Sequence, residues 1–229
     1  MCLTSDLTFF DTANCYAHGT SEEFWGNAIK NNIARDKVVL ASKVYFNDGH
    51  LSKNAVNREI DGTLKRLGTD YLDLYIIHRF DYTTPIEKTM QALDSLVKSG
   101  KVRALGASAM YGYQFYNMQM CAKDNGFTPF VSMQNHYSLL YREDERELIP
   151  ICDQMNVART PYSPLAAGKY DSTESADYKI VLRVNELAEK YGKYSERCRQ
   201  GMVYVFCNHF KSYVLGTRRS FRLAYHNKT

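Results

Sequence analysis

The sequence predicts an α/β fold in which a parallel sheet is covered by helices. Short apolar runs alternate with amphipathic stretches from residue 7 to residue 160. Continuous apolar strands joined by helical crossovers are typical of a parallel sheet. The chain has 229 residues, of which 45% are apolar and 24% charged, an ordinary balance for a globular protein. We therefore expect a single domain over residues 1–229.

The first half of the alternation follows from apolar periodicity and turn residues. The segment 54–67 places Val56, Ile60 and Leu64 at helical intervals, and Gly68 ends it. Ser21 is expected to cap the helix that begins there. The predicted elements are strand 7–11, helix 21–33, strand 37–43, helix 54–67 and strand 72–77.

The second half follows the same logic. Pro85 suits the first turn of a helix, and Gly100 follows the end of the periodic stretch. The predicted elements are helix 85–98, strand 102–107, helix 114–123, strand 130–134, helix 143–154 and strand 157–160.

Two parallel-sheet folds fit this alternation, the open doubly wound sheet and the closed (β/α)8 barrel. A dinucleotide-binding open sheet carries G-x-G-x-x-G between its first strand and first helix. The segment after Asp11 reads TANCYAHGTSEE and lacks that motif. The sequence therefore favours the (β/α)8 barrel, or TIM barrel, whose chemistry lies at the carboxyl ends of the strands.

Polar side chains stand at the ends of consecutive predicted strands. Each has an ordinary structural explanation when it is taken alone: a turn aspartate, a solvated lysine or a structural histidine. The joint pattern favours a functional site, because the strand ends of a barrel converge on one mouth. The residues are, in chain order, Asp11, Tyr16, Lys43, His78, Ser108 and Gln134.

The first four of these residues suit one kind of chemistry. A phenol is a weak acid, with a pKa of about 10, and a neighbouring ammonium stabilises its phenolate. A buried aspartate would hold the lysine charged and in place, and a histidine can donate to a carbonyl oxygen. Together they make a general acid for a developing alkoxide. The matching hydride would come from a nicotinamide cofactor.

Composition excludes several other classes of function. The net charge of +4 comes from scattered basic residues, which does not indicate a nucleic-acid partner. The six cysteines form no C-x-x-C pair, so we expect no metal site and a reducing compartment. The start MCLTSDLTFF lacks the pattern of a signal peptide, and no stretch approaches the ~20 apolar residues of a membrane span. We expect a cytoplasmic protein.

Several motifs carry a resemblance to a known family. They are F-F-D-T-A-N-C-Y at 9–16, G-T-S-E-E at 19–23, L-A-S-K-V at 40–44, R-L-G-T-D-Y-L-D-L-Y-I-I-H at 66–78, G-K-V-R-A-L-G-A-S at 100–108 and Y-S-P-L-A at 162–166. The chain resembles the aldo-keto reductases through these motifs, over residues 9–168. The stretches 78–87, 132–137 and 141–147 are similar to a bacterial and fungal branch near the potassium-channel β-subunit-like reductases.

The resemblance implies a role for each matching residue. Tyr16 would be the general acid, Asp11 and Lys43 would tune it, and His78 would orient the carbonyl group of the substrate. The cofactor would be NADP(H), and the substrate a small aldehyde or ketone.

The residues that match cofactor-binding positions form three groups. One holds the nicotinamide carboxamide, one stacks on the ring or meets the pyrophosphate through its backbone, and one grips the adenosine 2′-phosphate. In that order, the groups are Ser108 and Gln134; Tyr162, Ser163 and Leu165; and Gly216, Thr217 and Arg218, with Arg219 and Arg222 adding charge. The forked guanidinium suits phosphate, but a solvated basic tail explains the arginines equally well, and NADP rather than NAD rests on them alone.

The chain also departs from the family pattern. Only eight residues precede Phe9, so a first βα unit is expected to be absent, and Lys169 follows Gly168 where the family has a long loop. The stretch 193–211 matches the penultimate helix poorly, and a final helix is missing after Arg222. A ring that loses a strand exposes unpaired edges. The expected outcomes are an open barrel, a homo-oligomer that covers the edges, or a product with little activity.

Three functions therefore compete at the level of sequence. The leading one is an NADP(H)-dependent reductase of aldehydes and ketones. The alternative is a weakly active or inactive nucleotide-binding homologue that acts through protein partners. A poorly folding fragment is the third.

Overall fold

The computed structural model describes residues 8–164, residue 166 and residues 178–190. These residues form two compact units, 8–133 and the described part of 134–190. A single domain over 1–229 stays a prediction.

The first unit is built on parallel strands that follow one another in chain order. Strand β1 pairs with β2, β2 with β3 and β3 with β4, all parallel. The register sets Lys43 beside Ile76, and Ile76 beside Gly106. The strands of this unit are β1 (Phe9–Asp11), β2 (Val39–Val44), β3 (Leu72–Ile77), β4 (Val102–Ser108) and β5 (Phe130–Gln134), the last ending at the boundary of the unit.

A helix follows each of the first four strands, as the alternation predicts. These helices are α1 (Thr20–Asn32), α2 (Lys53–Leu67), α3 (Ile86–Lys98) and α4 (Gly112–Asn125). Gly68 ends α2 with a φ of 62°, in the left-handed region that glycine adopts without strain. The predicted cap at Ser21 is wrong, because α1 starts one residue earlier, after Gly19. The Ser21 hydroxyl instead contacts that of Thr12, at 2.8 Å.

Small residues allow the inner face of the first unit to pack tightly. A buried apolar cluster joins Phe9, Ala41, Leu74, Ile76, Ala104 and Val131. A Cβ atom on Gly106 would lie 2.6 Å from the Ser132 hydroxyl oxygen and 3.1 Å from an Ile76 side-chain carbon. Only glycine therefore fits at this position, since real Cβ atoms do not approach so closely.

The second unit contains α5 (Leu148–Gln154), β6 (Ala158–Arg159) and α6 (Tyr178–Lys190). The predicted helix 143–154 is two pieces, a 3₁₀ turn at Glu143–Glu145 and then α5. Pro150 explains the break, because its ring clashes with the carbonyl of Arg146 and it has no N–H to donate there.

Two absences hold for the described part of the chain. None of its helices has the length and apolar character to cross a membrane. No cluster of three or more histidine, cysteine or acidic side chains could hold a metal ion there.

Candidate active site

The site centres on the buried ammonium of Lys43, at the carboxyl end of β2. Its side chain is 1% exposed. The ammonium donates to Asp11 Oδ1 at 2.5 Å, to the Thr12 carbonyl oxygen at 2.9 Å and to Tyr16 Oη at 3.3 Å. Three acceptors match the three donors of an ammonium. A buried charge of this kind is stable only when it is paired and hydrogen-bonded.

Tyr16 reaches Lys43 from a tight turn that follows β1. The backbone N–H of Tyr16 donates to the Ala13 carbonyl oxygen at 3.1 Å. Ala17, His18 and Gly19 then take φ values of 47°, 55° and 94° in succession. Left-handed backbone is costly for residues with a side chain, and such strain concentrates at functional sites. The turn keeps the phenol close to the ammonium while 41% of the Tyr16 side chain stays exposed.

Polar contacts anchor the segment that carries Tyr16. The Asn14 amide nitrogen donates to Glu59 Oε2 on α2, at 2.9 Å. The N–H of Thr12 donates to the Ala41 carbonyl oxygen and that of Asn14 to the Lys43 carbonyl oxygen, which extends the pairing of β1 with β2. The position of the phenol is therefore fixed from both sides of the turn.

A buried carboxylate lies beneath the same turn. Glu22 on α1 is fully buried and accepts from Ser42 Oγ at 2.5 Å and from Arg66 Nε at 2.6 Å. A Cβ atom on Gly19 would lie 3.1 Å from the Arg66 side chain. The network thus joins α1, α2 and β2 next to Lys43. Sequence reasoning missed it, although a glutamate inside a conserved-looking G-T-S-E-E motif was a signal that could have found it.

His78 lies on the far side of Tyr16. Its N–H donates to the Val44 carbonyl oxygen at 2.9 Å, so it continues β3 beyond Ile77. The two rings meet edge to face, with their centroids 5.7 Å apart. Burial, together with the positive charges of Lys43 and Arg79, lowers the pKa of His78 to about 4. The imidazole is therefore neutral near pH 7 and keeps one N–H to donate.

Two side chains missed by sequence reasoning also contact His78. Cys15 Sγ lies 3.8 Å from Nδ1 of the imidazole, and burial raises the pKa of this thiol. The ring of Phe46 meets the imidazole edge to face, with centroids 5.0 Å apart. Phe46 stands three residues after Lys43, where an aromatic residue past a strand end was the available signal.

The other predicted residues fall into three groups. Ser108 is buried at the end of β4, in the same unit as Tyr16. Gln134, Tyr162 and Ser163 belong to the second unit. Leu165, Gly216, Thr217, Arg218, Arg219 and Arg222 lie outside the described residues. The structure thus brings Asp11, Tyr16, Lys43 and His78 together, as the strand-end pattern predicts.

Within the second unit, Tyr162 is part of an aromatic stack. Its ring lies nearly parallel to that of His136, with centroids 5.2 Å apart, and His136 stacks on Tyr141 at 4.4 Å. The N–H of Tyr162 donates to the Asn135 carbonyl oxygen at 2.9 Å. Ser163 follows with a φ of 56°. The ring predicted to meet a nicotinamide is thus held by hydrogen bonding and stacking.

Comparison with known proteins identifies the family. Residues 3–200 match the model of the aldo/keto reductase family. This chain belongs to the aldo-keto reductase family. Family membership confirms the resemblance carried by the sequence motifs.

Three relatives and neighbours illustrate the match. An aldo-keto reductase of Fusarium vanettenii is 40% identical over 80% of this chain and 64% of its own length. A putative aryl-alcohol dehydrogenase of Schizosaccharomyces pombe is 39% identical over 80% of this chain and 66% of its own length. The crystal structure of an aldo/keto reductase from Klebsiella pneumoniae, in complex with NADP and acetate, has a TM-score of 0.72 and 31% identity, with 85% of this chain and 65% of that chain covered.

The structural match confirms the predicted α/β barrel class of this aldo-keto reductase. The chain spans less than two thirds of the length of the Fusarium relative and of the Klebsiella protein. The Fusarium alignment runs over 235 positions, more than the 229 residues of this chain. It therefore includes positions at which this chain has no residue, in agreement with a shortened barrel.

Proposed function

We propose that this aldo-keto reductase is an NADP(H)-dependent oxidoreductase that reduces aldehydes or ketones to alcohols, with Tyr16 as the general acid. The observation that carries the proposal is the hydrogen bond of 3.3 Å from Lys43 Nζ to Tyr16 Oη, backed by the ion pair of Lys43 with Asp11. The proposal also includes a single barrel domain over 1–229, a cytoplasmic location and assembly as a homo-oligomer.

The direction of that hydrogen bond suits proton donation. Lys43 donates to the phenol oxygen, so the phenol's own proton points elsewhere and is available to a carbonyl oxygen. As the proton leaves, the ammonium stabilises the phenolate that remains. Asp11 balances the charge of the lysine and fixes its position.

His78 would position the substrate in the same proposal. A neutral imidazole donates one hydrogen bond without adding a second positive charge beside Lys43. With Tyr16 on one side of the carbonyl oxygen and His78 on the other, the carbonyl carbon is held for attack. The edge-to-face contact of the two rings is the basis for this geometry.

The cofactor would supply the hydride that attacks the carbonyl carbon. Ser108 in the first unit, with Gln134 and Tyr162 in the second, are hydroxyl, amide and aromatic groups that suit a nicotinamide carboxamide and ring. Ser163 and Leu165 would meet the pyrophosphate. Arg218, Arg219 and Arg222, after the turn at Gly216 and Thr217, would bind the 2′-phosphate that distinguishes NADP from NAD.

Substitution of the general acid tests the proposal. Tyr16→Phe removes one hydroxyl, and we expect NADPH oxidation with a generic aldehyde to fall by about 10²–10⁴-fold. The matched control is Tyr116→Phe on α4, an exposed phenol, which should leave the rate unchanged. Lack of turnover by protein that melts cooperatively and binds NADPH would refute the proposal.

That negative outcome would favour the alternative, a nucleotide-binding homologue that acts through a protein partner. The observation in its favour is that the chain covers only part of the length of its relatives. Calorimetry of NADPH binding separates the two cases, because it needs no turnover.

A further inference from the structure

A large aromatic ring lies half exposed directly beside the candidate acid. The side chain of Phe46 is 51% exposed. Its ring meets the His78 imidazole edge to face at 5.0 Å, and His78 meets Tyr16 in the same way at 5.7 Å. The three rings form a continuous row that begins at the phenol. A carbonyl oxygen held by Tyr16 and His78 therefore places its substituent next to Phe46.

The loop that presents Phe46 is held by its own contacts. Tyr45 packs edge to face on Phe46 at 5.2 Å and stacks on His50 at 4.7 Å. The N–H of Asn47 donates to the Tyr45 carbonyl oxygen at 2.8 Å, and its side-chain amide donates to the His50 carbonyl oxygen at 3.0 Å. The exposed ring is thus fixed before any ligand arrives, which lowers the entropic cost of binding against it.

Asp81 ties this loop to the one that follows β3. Its Oδ2 accepts from the N–H of Leu51 at 3.1 Å, and its Oδ1 accepts from the N–H and the hydroxyl of Thr83. Two neighbouring strand ends are therefore coupled at the edge where Phe46 lies.

We propose that Phe46 is a specificity-determining residue that selects carbonyl substrates bearing a flat aromatic ring. The proposal rests on the proposed reductase function and names its substrate class. Aromatic rings pair with one another in edge-to-face or offset stacks and gain about 0.5–1.5 kcal/mol beyond simple burial, a factor of about two to ten in binding. A saturated ring of the same size buries similar apolar surface but lacks this term.

The rest of the strand-end edge has the same aromatic character. Phe80 and Tyr82 follow β3 and pack edge to face at 5.0 Å, whereas Tyr111 and Tyr113 follow β4 and stack at 6.0 Å. Gln114 donates to the Tyr82 hydroxyl oxygen at 3.1 Å and so links the two pairs. Exposed aromatic side chains grouped at one edge mark a binding surface more often than chance exposure does.

A comparison of two substrates in three proteins tests the proposal. The substrates are benzaldehyde and cyclohexanecarbaldehyde, and the proteins are the full chain, Phe46→Leu and Phe24→Leu. Phe24 is a matched control, because its ring is 68% exposed but lies on α1. We expect the ratio of kcat/KM for benzaldehyde to kcat/KM for cyclohexanecarbaldehyde to fall about two- to tenfold in Phe46→Leu. The ratio should stay unchanged in Phe24→Leu and be retained in Phe46→Trp.

An equal loss on both substrates, or an unchanged ratio in Phe46→Leu, would overturn the proposal. Equal loss would mean that another part of the chain or a partner covers the ring. If the full chain reduces neither aldehyde, the reductase function fails, and binding of benzamide and cyclohexanecarboxamide to the NADPH-loaded protein decides the role of Phe46. Calorimetry should then show benzamide to be favoured, with the preference lost in Phe46→Leu; equal affinities would refute the selection.

Discussion

Arg66 Nε lies 2.6 Å from Glu22 Oε2, and this ion pair joins α2 to α1 beneath the turn that carries Tyr16. The two partners are not equally buried. The Glu22 side chain is shielded from water, whereas that of Arg66 is partly exposed. Removal of either partner therefore leaves a different problem behind.

We expect Arg66→Met to destabilise the protein more than Glu22→Gln does. Arg66→Met leaves a buried carboxylate without its cation, at a cost of about 3–5 kcal/mol in the free energy of unfolding. Glu22→Gln leaves a guanidinium that can reach water and retains an acceptor for Ser42, so about 1–2 kcal/mol is expected. Urea denaturation measures both. Arg183→Met, which breaks an exposed pair with Glu186, should cost less than about 1 kcal/mol. Equal costs for the two buried variants would contradict this account.

Gly19 separates a loss of stability from a loss of activity. Its φ of 94° and the nearby Arg66 side chain both oppose a Cβ atom. Gly68 also has a positive φ, of 62°, but nothing lies within 4 Å of the missing Cβ. We expect each alanine variant to lose about 1–2 kcal/mol of stability, measured by urea denaturation. Only Gly19→Ala should also lower kcat, since it moves the turn that positions Tyr16. A normal kcat in Gly19→Ala would argue against that coupling.

His78 gives the protein a pH dependence of known sign. Its folded-state pKa of about 4 is below the unfolded value of 6.5. The unfolded chain therefore binds a proton more readily, and the free energy of unfolding falls as the pH drops from about 6.5 towards about 4. Denaturation at pH 7 and at about pH 4.5 should show a smaller fall in His78→Gln than in the unsubstituted protein. An identical fall in both proteins would mean that His78 is not held neutral.

Tyr71 lies between two guanidinium groups at the opposite end of the strands. Arg35 approaches its ring centroid to 4.1 Å and Arg103 to 3.9 Å, while both arginines pair with Asp73. We expect Tyr71→Leu to cost about 1–2 kcal/mol of stability, because two cation–π contacts are lost. Tyr71→Phe keeps the ring and should cost less than about 0.5 kcal/mol. Thermal or urea unfolding distinguishes the two, and similar costs would show that the ring's charge distribution does not matter here.

Some elements could be predicted to the residue, and the reasons are physical. Strands β3 and β5 have the predicted bounds because a buried apolar run ends abruptly in polar or turn residues on each side. The convergence of Asp11, Tyr16 and Lys43 could also be predicted, since parallel strands end at one edge of a sheet.

Other features could not be predicted, because they depend on backbone geometry or burial. The start of α1 follows from the positive φ of Gly19, which a plausible serine cap conceals. The division of the predicted helix 143–154 was visible in Pro150, but the apolar periodicity of the stretch suggested a continuous helix. The half-exposed ring of Phe46 depends on how its loop folds, and no local pattern records that.

The four residues of the acid cluster all come from one stretch, from Asp11 to His78, and they are held by contacts made within the first unit. The groups expected to hold the cofactor follow later in the chain. Natural variation or engineering beyond His78 can thus alter affinity for the hydride carrier while the proton donor is inherited unchanged. Proton delivery and cofactor choice are, in this arrangement, separate genetic modules.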